Sequence, residues 1–201
     1  VKKMQYTSPT IEKMIEILSS LPTIGKKSAQ RLTYFLLRQP DEFVRQFAET
    51  LAELKSRVQL CNICFNFTEQ NPCPICSSEN RDKGLICVVE QPDDVIAIEK
   101  TNEFNGVYHV LHGTINHLDG ISISKLKISE LVERAKTAKE ILFALNPSVE
   151  GEVTIHYIVN LLRKFPVRLT RIARGMPIGT EIQFVDDATL MNAIENRIEI
   201  K

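Results

Sequence analysis

The chain has 201 residues, 43% of them hydrophobic and 25% charged, with 25 Lys/Arg balanced by 25 Asp/Glu. That length suits one large domain or two to three small ones, and the apolar share suffices for packed cores. No apolar run nears the roughly 20 residues of a membrane span, and the opening VKKMQYTSP lacks the apolar core of a secretion signal, so a cytoplasmic protein is expected. A formal net charge of zero excludes a molecule that attracts nucleic acid as a whole. The charge is uneven, however. Residues 1–60 hold ten Lys/Arg against six Asp/Glu, and residues 61–100 hold three against seven. A basic start beside an acidic middle suggests separate surfaces for different partners.

In chain order, Ile11, Met14, Ile15 and Leu18 recur at helical spacing and predict a first amphipathic helix. A second is expected from Lys27 to Arg38 with Ala29, Leu32 and Leu36 along one face. A third is expected from Asp41 to Val58, capped by Asp41 after Pro40, with Phe43, Val44, Phe47, Leu51, Leu54 and Val58 as its apolar stripe. Residues 1–58 thus form a helical module. Next comes CNICFNFTEQNPCPIC, with Cys61, Cys64, Cys73 and Cys76 in a C-x2-C-x8-C-x2-C pattern. Each pair can form a knuckle aiming two thiolates at one ion, and Asn71-Pro72 can turn the spacer. Four sulfur ligands select zinc in a closed, structural site. Disulfides are the rival in an oxidising compartment, and an iron–sulfur cluster or a redox pair are others. Too few residues lie between the pairs to build a core, so the metal would supply the local folding energy.

The rhythm then changes. GLICVVE, GVYHVLH, EILFAL and VRLTRIA are short β-rich runs, alternating with helical stretches from Asp93 to Thr101, Ser129 to Lys136 and Glu150 to Phe165. Such alternation predicts a mostly parallel sheet flanked by helices. Cys87 lies in the first run as a buried strand residue. GTINHLDGISISK, residues 113–125, reads as an irregular loop, and EIQFVDD followed by ATLMNAIENRI as a final strand–helix pair. The expected fold is therefore α+β and multi-modular: residues 1–58 helical, 59–79 the cysteine loop, 80–175 the α/β sheet, and 176–201 the closing segment.

The joint LPTIGKKSAQRLTYFLL, residues 21–37, places Pro22 and Gly25 just before a helix that opens with Lys26 and Lys27. Glycine lets another backbone approach, and the free N–H groups of a helix start favour a phosphate oxygen. Lys27 and Arg31, four apart, share a face and can follow one phosphate strand. Nothing here reads base edges, so binding through Gly25, Lys26, Lys27 and Arg31 would be sequence-independent and salt-sensitive. The plainer alternative is a solvated helical hairpin. Cations set against the helix dipole favour a ligand that needs them.

This stretch resembles the helix-hairpin-helix of the RecR family of bacterial recombination proteins, L-P-G-I-G-x-K-S/T-A-Q-R-L, with Thr23 in place of the first glycine. The similarity continues through the four cysteines, VVEQPDDVIAIEKT, GVYHVLHG, LDGI, NPSVEGE and RIARGMPIG, in family order. It implies a four-cysteine zinc finger with one structural Zn²⁺, a Toprim sheet, and a C-terminal segment carrying a Walker B label. It also implies a non-enzymatic mediator that binds single-stranded, double-stranded and gapped DNA, acts with RecO and RecF to load RecA, and forms a ring-shaped tetramer. Toprim enzymes hold magnesium with a strand-end Glu and a D-x-D pair. Here Glu90 is present, but Asn146, Glu150 and Glu152 stand where D-x-D would be, so at most weak Mg²⁺ binding at Glu90 is implied. Glu90, Asp94 and Glu150 become an acidic docking surface for RecO. A Toprim-type Mg²⁺-dependent nuclease or primase, and a zinc-bearing protein scaffold, are the alternatives. The histidines have no metal-ligand spacing, and His112 stands where much of the family has glycine. IQFVDD lacks any phosphate-binding loop to serve, which leaves Asp186 and Asp187 as a helix cap.

Overall fold

The computed structural model describes residues 8–116, 123–173, 175–176, 178–197 and 199. The stretch LDGI, and Arg174 and Pro177 of RIARGMPIG, lie outside the described residues. The chain divides into two compact units, Val1–Val58 and Gln59–Lys201.

The first unit holds three helices, α1 (Pro9–Ser19), α2 (Lys26–Leu36) and α3 (Asp41–Arg57). Pro9 pre-sets the first turn of α1, and Ile11, Met14, Ile15 and Leu18 form its half-buried face as expected. In α2 the buried stripe runs through Ala29 and Thr33, whereas Leu32 is exposed. The stripe is shifted because Thr33 satisfies its own hydroxyl, donating to the Ala29 carbonyl at 2.9 Å. A polar residue can therefore face inward. Asp41 is not the cap of α3: Pro40 occupies that position and Asp41 is the first helical residue. There Asp41 and Glu42 still complement the helix dipole, as do Lys55 and Arg57 at the other end. The apolar stripe of α3 exists, but Phe43, Val44, Phe47, Leu51 and Leu54 are all exposed.

The second unit opens with the short antiparallel pair β1 (Gln59–Leu60) and β2 (Phe67–Thr68), and the one-turn helix α4 (Pro74–Ser77). Four parallel strands follow, β3 (Asp82–Val89), β4 (Gly106–Val110), β5 (Glu140–Ala144) and β6 (Arg168–Arg171), in the order β4-β3-β5-β6. Helices α5 (Pro92–Glu99), α6 (Ile128–Ala135) and α7 (Val149–Leu162) complete it. Period-two alternation sends Ile86, Val88, Ile141 and Phe143 into a core with Leu131 of α6 and Ile158 and Leu162 of α7. Cys87, Val89, Tyr108 and Val110 pack on the other face with Val95 of α5. Both faces are covered, which explains the continuous apolar runs.

The closing segment departs from expectation. Ile182–Phe184 is a single 3-10 turn, not a strand, before α8 (Asp187–Glu195). A strand needs a neighbour for its backbone groups, and Ile182 and Phe184 are exposed. Asp186 does cap α8, accepting from the Thr189 amide at 2.9 Å.

Candidate nucleic-acid interface and metal centre

In the first unit, α1 ends at Ser19, and the Ser20 amide donates back to the carbonyls of Glu16 and Ile17. The chain then turns through Leu21–Ile24, with the Ile24 amide donating to the Leu21 carbonyl at 3.2 Å. Thr23 sits at φ 65°, the left-handed region where the family pattern has glycine. Gly25 takes the N-cap position of α2 and can offer no side-chain cap. The opening amides of α2 therefore lack an intrahelical partner. A Cβ placed on Gly25 would meet no atom within 4 Å, and its φ of −78° suits any residue. The chain's own packing does not require a glycine there. Lys26, Lys27 and Arg31 are exposed on α2, and none is in an ion pair among the described residues. The four positions expected to seat a phosphate thus lie together on one helix start.

In the second unit the four cysteines converge. All four are buried, and their sulfurs lie within 4.8 Å of one another. Cys64 Sγ and Cys73 Sγ are 3.6 Å apart, far beyond the roughly 2.05 Å of a disulfide. The separation fits the edge of a tetrahedron with metal–sulfur bonds of about 2.3 Å, which is about 3.8 Å. The Cys73 amide donates to Cys61 Sγ at 3.4 Å, and the Cys76 amide to Cys73 Sγ at 3.5 Å. Such N–H donors disperse thiolate charge. Hydrogen bonds from Cys64 and Cys76 pull the Cys73 thiol well below its ordinary range. Donating to Cys73, in turn, pushes Cys64 up, and burial adds to that rise. Four sulfurs this close cannot all ionise without a cation among them. The donor set fits zinc.

The loop is bound to the sheet. Val110 donates its amide to the Cys64 carbonyl at 2.8 Å, His112 Nε2 lies 2.7 Å from the Phe65 carbonyl, and Lys127 Nζ stands 4.9 Å from the Phe65 ring centroid. Arg134, half-buried on α6, donates from Nη1 to the Tyr108 carbonyl at 2.6 Å and lies 3.0 Å from His109 Nδ1. With Cys76 and Ile63 it lines a cavity of about 180 Å³. It has no carboxylate partner among the described residues. Burial lowers its pKa, and the cysteine thiolates are the charges that oppose this. Burial also drives the fully enclosed His109 down to about 3, and the neighbouring Arg134 charge acts in the same direction. Sequence reasoning missed Arg134 as a neighbour of the centre and His109 as the side chain it contacts, since nothing in their local spacing links them to cysteines so distant along the chain.

The acidic residues are arranged differently. Glu90 and Asn146 meet at the carboxyl ends of neighbouring strands β3 and β5, where the strand order reverses. Asn146 Nδ2 donates to Glu90 Oε2 at 3.0 Å. Asp94 accepts from the Gln91 amide at 2.8 Å, closing a capping box at the start of α5. Glu150 and Glu152 lie in the first turn of α7, capped by Ser148. Among the described residues the cysteines are the one group of three or more side chains able to hold a metal, and it includes none of these carboxylates. Tyr108 is buried and donates to Glu99 at 2.6 Å, itself clamped by Arg81. Nothing about it suits a nucleophile.

Family models match four successive segments of the chain. Residues 11–55 match the RecR helix-hairpin-helix, 58–78 the RecR four-cysteine zinc finger domain, 84–173 the Toprim domain and 175–198 the RecR C-terminal segment. The recombination protein RecR of Chloroherpeton thalassium is 49% identical over 205 residues, covering 98% of this chain and all of that protein. RecR of Clostridium perfringens is 46% identical over 198 residues with the same coverage, in two strains. With the hairpin, the cysteine cluster and the parallel sheet in this order, the chain belongs to the RecR family of recombination proteins.

Proposed function

We propose that the chain is a recombination mediator and not an enzyme, gripping DNA without sequence preference through Gly25, Lys26, Lys27 and Arg31. In this reading it works in the cytoplasm with RecO and RecF to load RecA onto gapped or single-stranded DNA. The observation that carries it is the uncapped start of α2, with a glycine the chain's packing does not need and three cations in no ion pair among the described residues. Amide donors and exposed Lys/Arg neutralise phosphates without consulting base sequence. Cys61, Cys64, Cys73 and Cys76 hold one structural Zn²⁺ per chain, which fixes the loop fold and leaves no open coordination position. Glu90, Asp94 and Glu150 provide the acidic docking face for RecO.

Assembly into a ring-shaped tetramer accompanies this reading. Its support is the apolar surface left exposed on α3, and at Ile178, Ile182, Phe184, Met191 and Ile194 in the closing segment. Several weak hairpins on one assembly would add through multivalency.

The test is fluorescence anisotropy on a labelled gapped duplex at low and moderate salt. Lys27→Ala/Arg31→Ala is expected to weaken binding by about tenfold or more and to flatten the salt dependence. Gly25→Ala should keep the fold and still weaken binding. Unchanged affinity in both variants would leave a zinc-bearing scaffold that does not meet DNA through this hairpin.

A further inference from the structure

Beyond the hairpin, α2 and the turn that follows it carry a second row of side chains. Arg31, Tyr34, Phe35 and Arg38 fall at i, i+3, i+4 and i+7, and with Gln30 and Gln39 they line a shallow cavity of about 420 Å³. The two arginines are seven positions apart in the chain. Arg31 and Arg38 are exposed and in no ion pair among the described residues, and no carboxylate lines the cavity. Phe35 is 52% exposed, and Phe43 meets it edge-on at 6.4 Å, which steadies the ring. Tyr34 is half-buried beside it. The row is continuous with the proposed phosphate seat, because Arg31 belongs to both.

We propose that this row is a stacking ledge for unpaired nucleotides, with Tyr34 and Phe35 taking base faces between phosphates held by Arg31 and Arg38. The inference rests on the reading of the hairpin as a DNA contact and deepens it. The uncapped helix start offers only phosphate donors, which duplex and single strand satisfy alike. Aromatic rings flanked by guanidiniums add what only a single strand can use, since bases in a duplex hide their faces in the stack. The charge decides between occupants. An apolar partner would bury two cations without counter-charge, whereas a polyanion neutralises them. The ledge therefore gives the protein a preference for single-stranded segments next to duplex.

The test uses the full-length protein and three labelled probes of equal length: oligo-dT, the same strand with abasic sites, and a duplex. The wild-type protein is expected to bind oligo-dT severalfold more tightly than the abasic strand. Tyr34→Leu and Phe35→Leu keep apolar packing, and each should cost about tenfold on oligo-dT, leave the duplex within twofold, and remove the preference over abasic DNA. Arg38→Gln should weaken both single strands. Lys27→Ala, which tests the hairpin alone, should weaken all three probes equally. A wild-type protein indifferent to the loss of bases would overturn the ledge and leave the hairpin intact. Equal losses on duplex and single strand in the aromatic variants would overturn it as well. So would a loss accompanied by a changed native mass, which would assign the row to a contact between copies. A wild-type protein binding no probe would remove both readings.

Discussion

The two units of this chain solve the burial problem in opposite ways. Among the described residues of the helical unit, only Ala29 and Thr33 are buried, while Phe43, Val44, Phe47, Leu51 and Leu54 of α3 stay exposed. The second unit buries a two-sided sheet and adds a cysteine cluster where its chain is too short to form a core. Small modules cannot bury enough surface alone and rely on metals or association. Here one unit has a metal-binding cluster, and the other has an uncovered face.

Several experiments break or sharpen that contrast. The largest effect is expected from the cysteine cluster. Elemental analysis is expected to find one zinc per chain, and Cys73→Ser, or chelation under denaturant-free conditions, should abolish it and open residues 59–79 to protease, because metal and fold energy are linked there. The helices of the first unit should survive. Full zinc content in the variant, with the loop intact, would refute the assignment.

Next, Arg134→Met should lower the stability of the zinc-loaded protein by about 2–3 kcal/mol in urea titrations and speed metal transfer to a chromogenic chelator, since it removes the positive charge beside the thiolate cluster. Arg134→Lys should recover part of the loss. Equal stability in all three proteins would remove the counter-ion role.

Acid should act through His109. Its pKa is held near 3 in the fold, against an ordinary value of 6.5. The unfolded chain therefore binds more protons between those values, and stability falls as pH drops through that window. At saturating zinc, moving from pH 7 to pH 5 should cost about 2 kcal/mol in the wild type, and visibly less in His109→Gln. Parallel profiles would show that another group titrates.

The smallest effects separate two left-handed positions. Thr23 (φ 65°) and His112 (φ 63°) both stand where glycine would be unstrained. Thr23 makes no side-chain hydrogen bond among the described residues, so Thr23→Gly should stabilise the first unit by up to about 1 kcal/mol. His112 contacts the Phe65 carbonyl and the Phe67 ring, so His112→Gly should gain nothing on thermal melting. A stabilised His112→Gly would mean those contacts contribute little.

What sequence could reveal depended on whether a cause was local. The cysteine spacing, the hairpin and the alternation of apolar runs are local patterns, and each formed where expected. The buried stripe of α2 shifted because a threonine masked its own hydroxyl, which hydropathy does not register. The 181–187 run looked like a strand by composition, but strands need neighbours and spacing cannot supply one. Arg134, His109 and the Asn146–Glu90 bond are long-range products of the fold, invisible until β3, β4 and β5 align.

The amide of Asn146 has one more consequence. It donates to the carboxylate at the crevice where related sheets bind ions, so the charge of Glu90 is already partly answered by a neutral neighbour. A cation arriving there would meet a carboxylate whose Oε2 is already shared with an amide donor. Replacing that one NH₂ group by oxygen would set two carboxylates side by side and reverse the local polarity of the crevice.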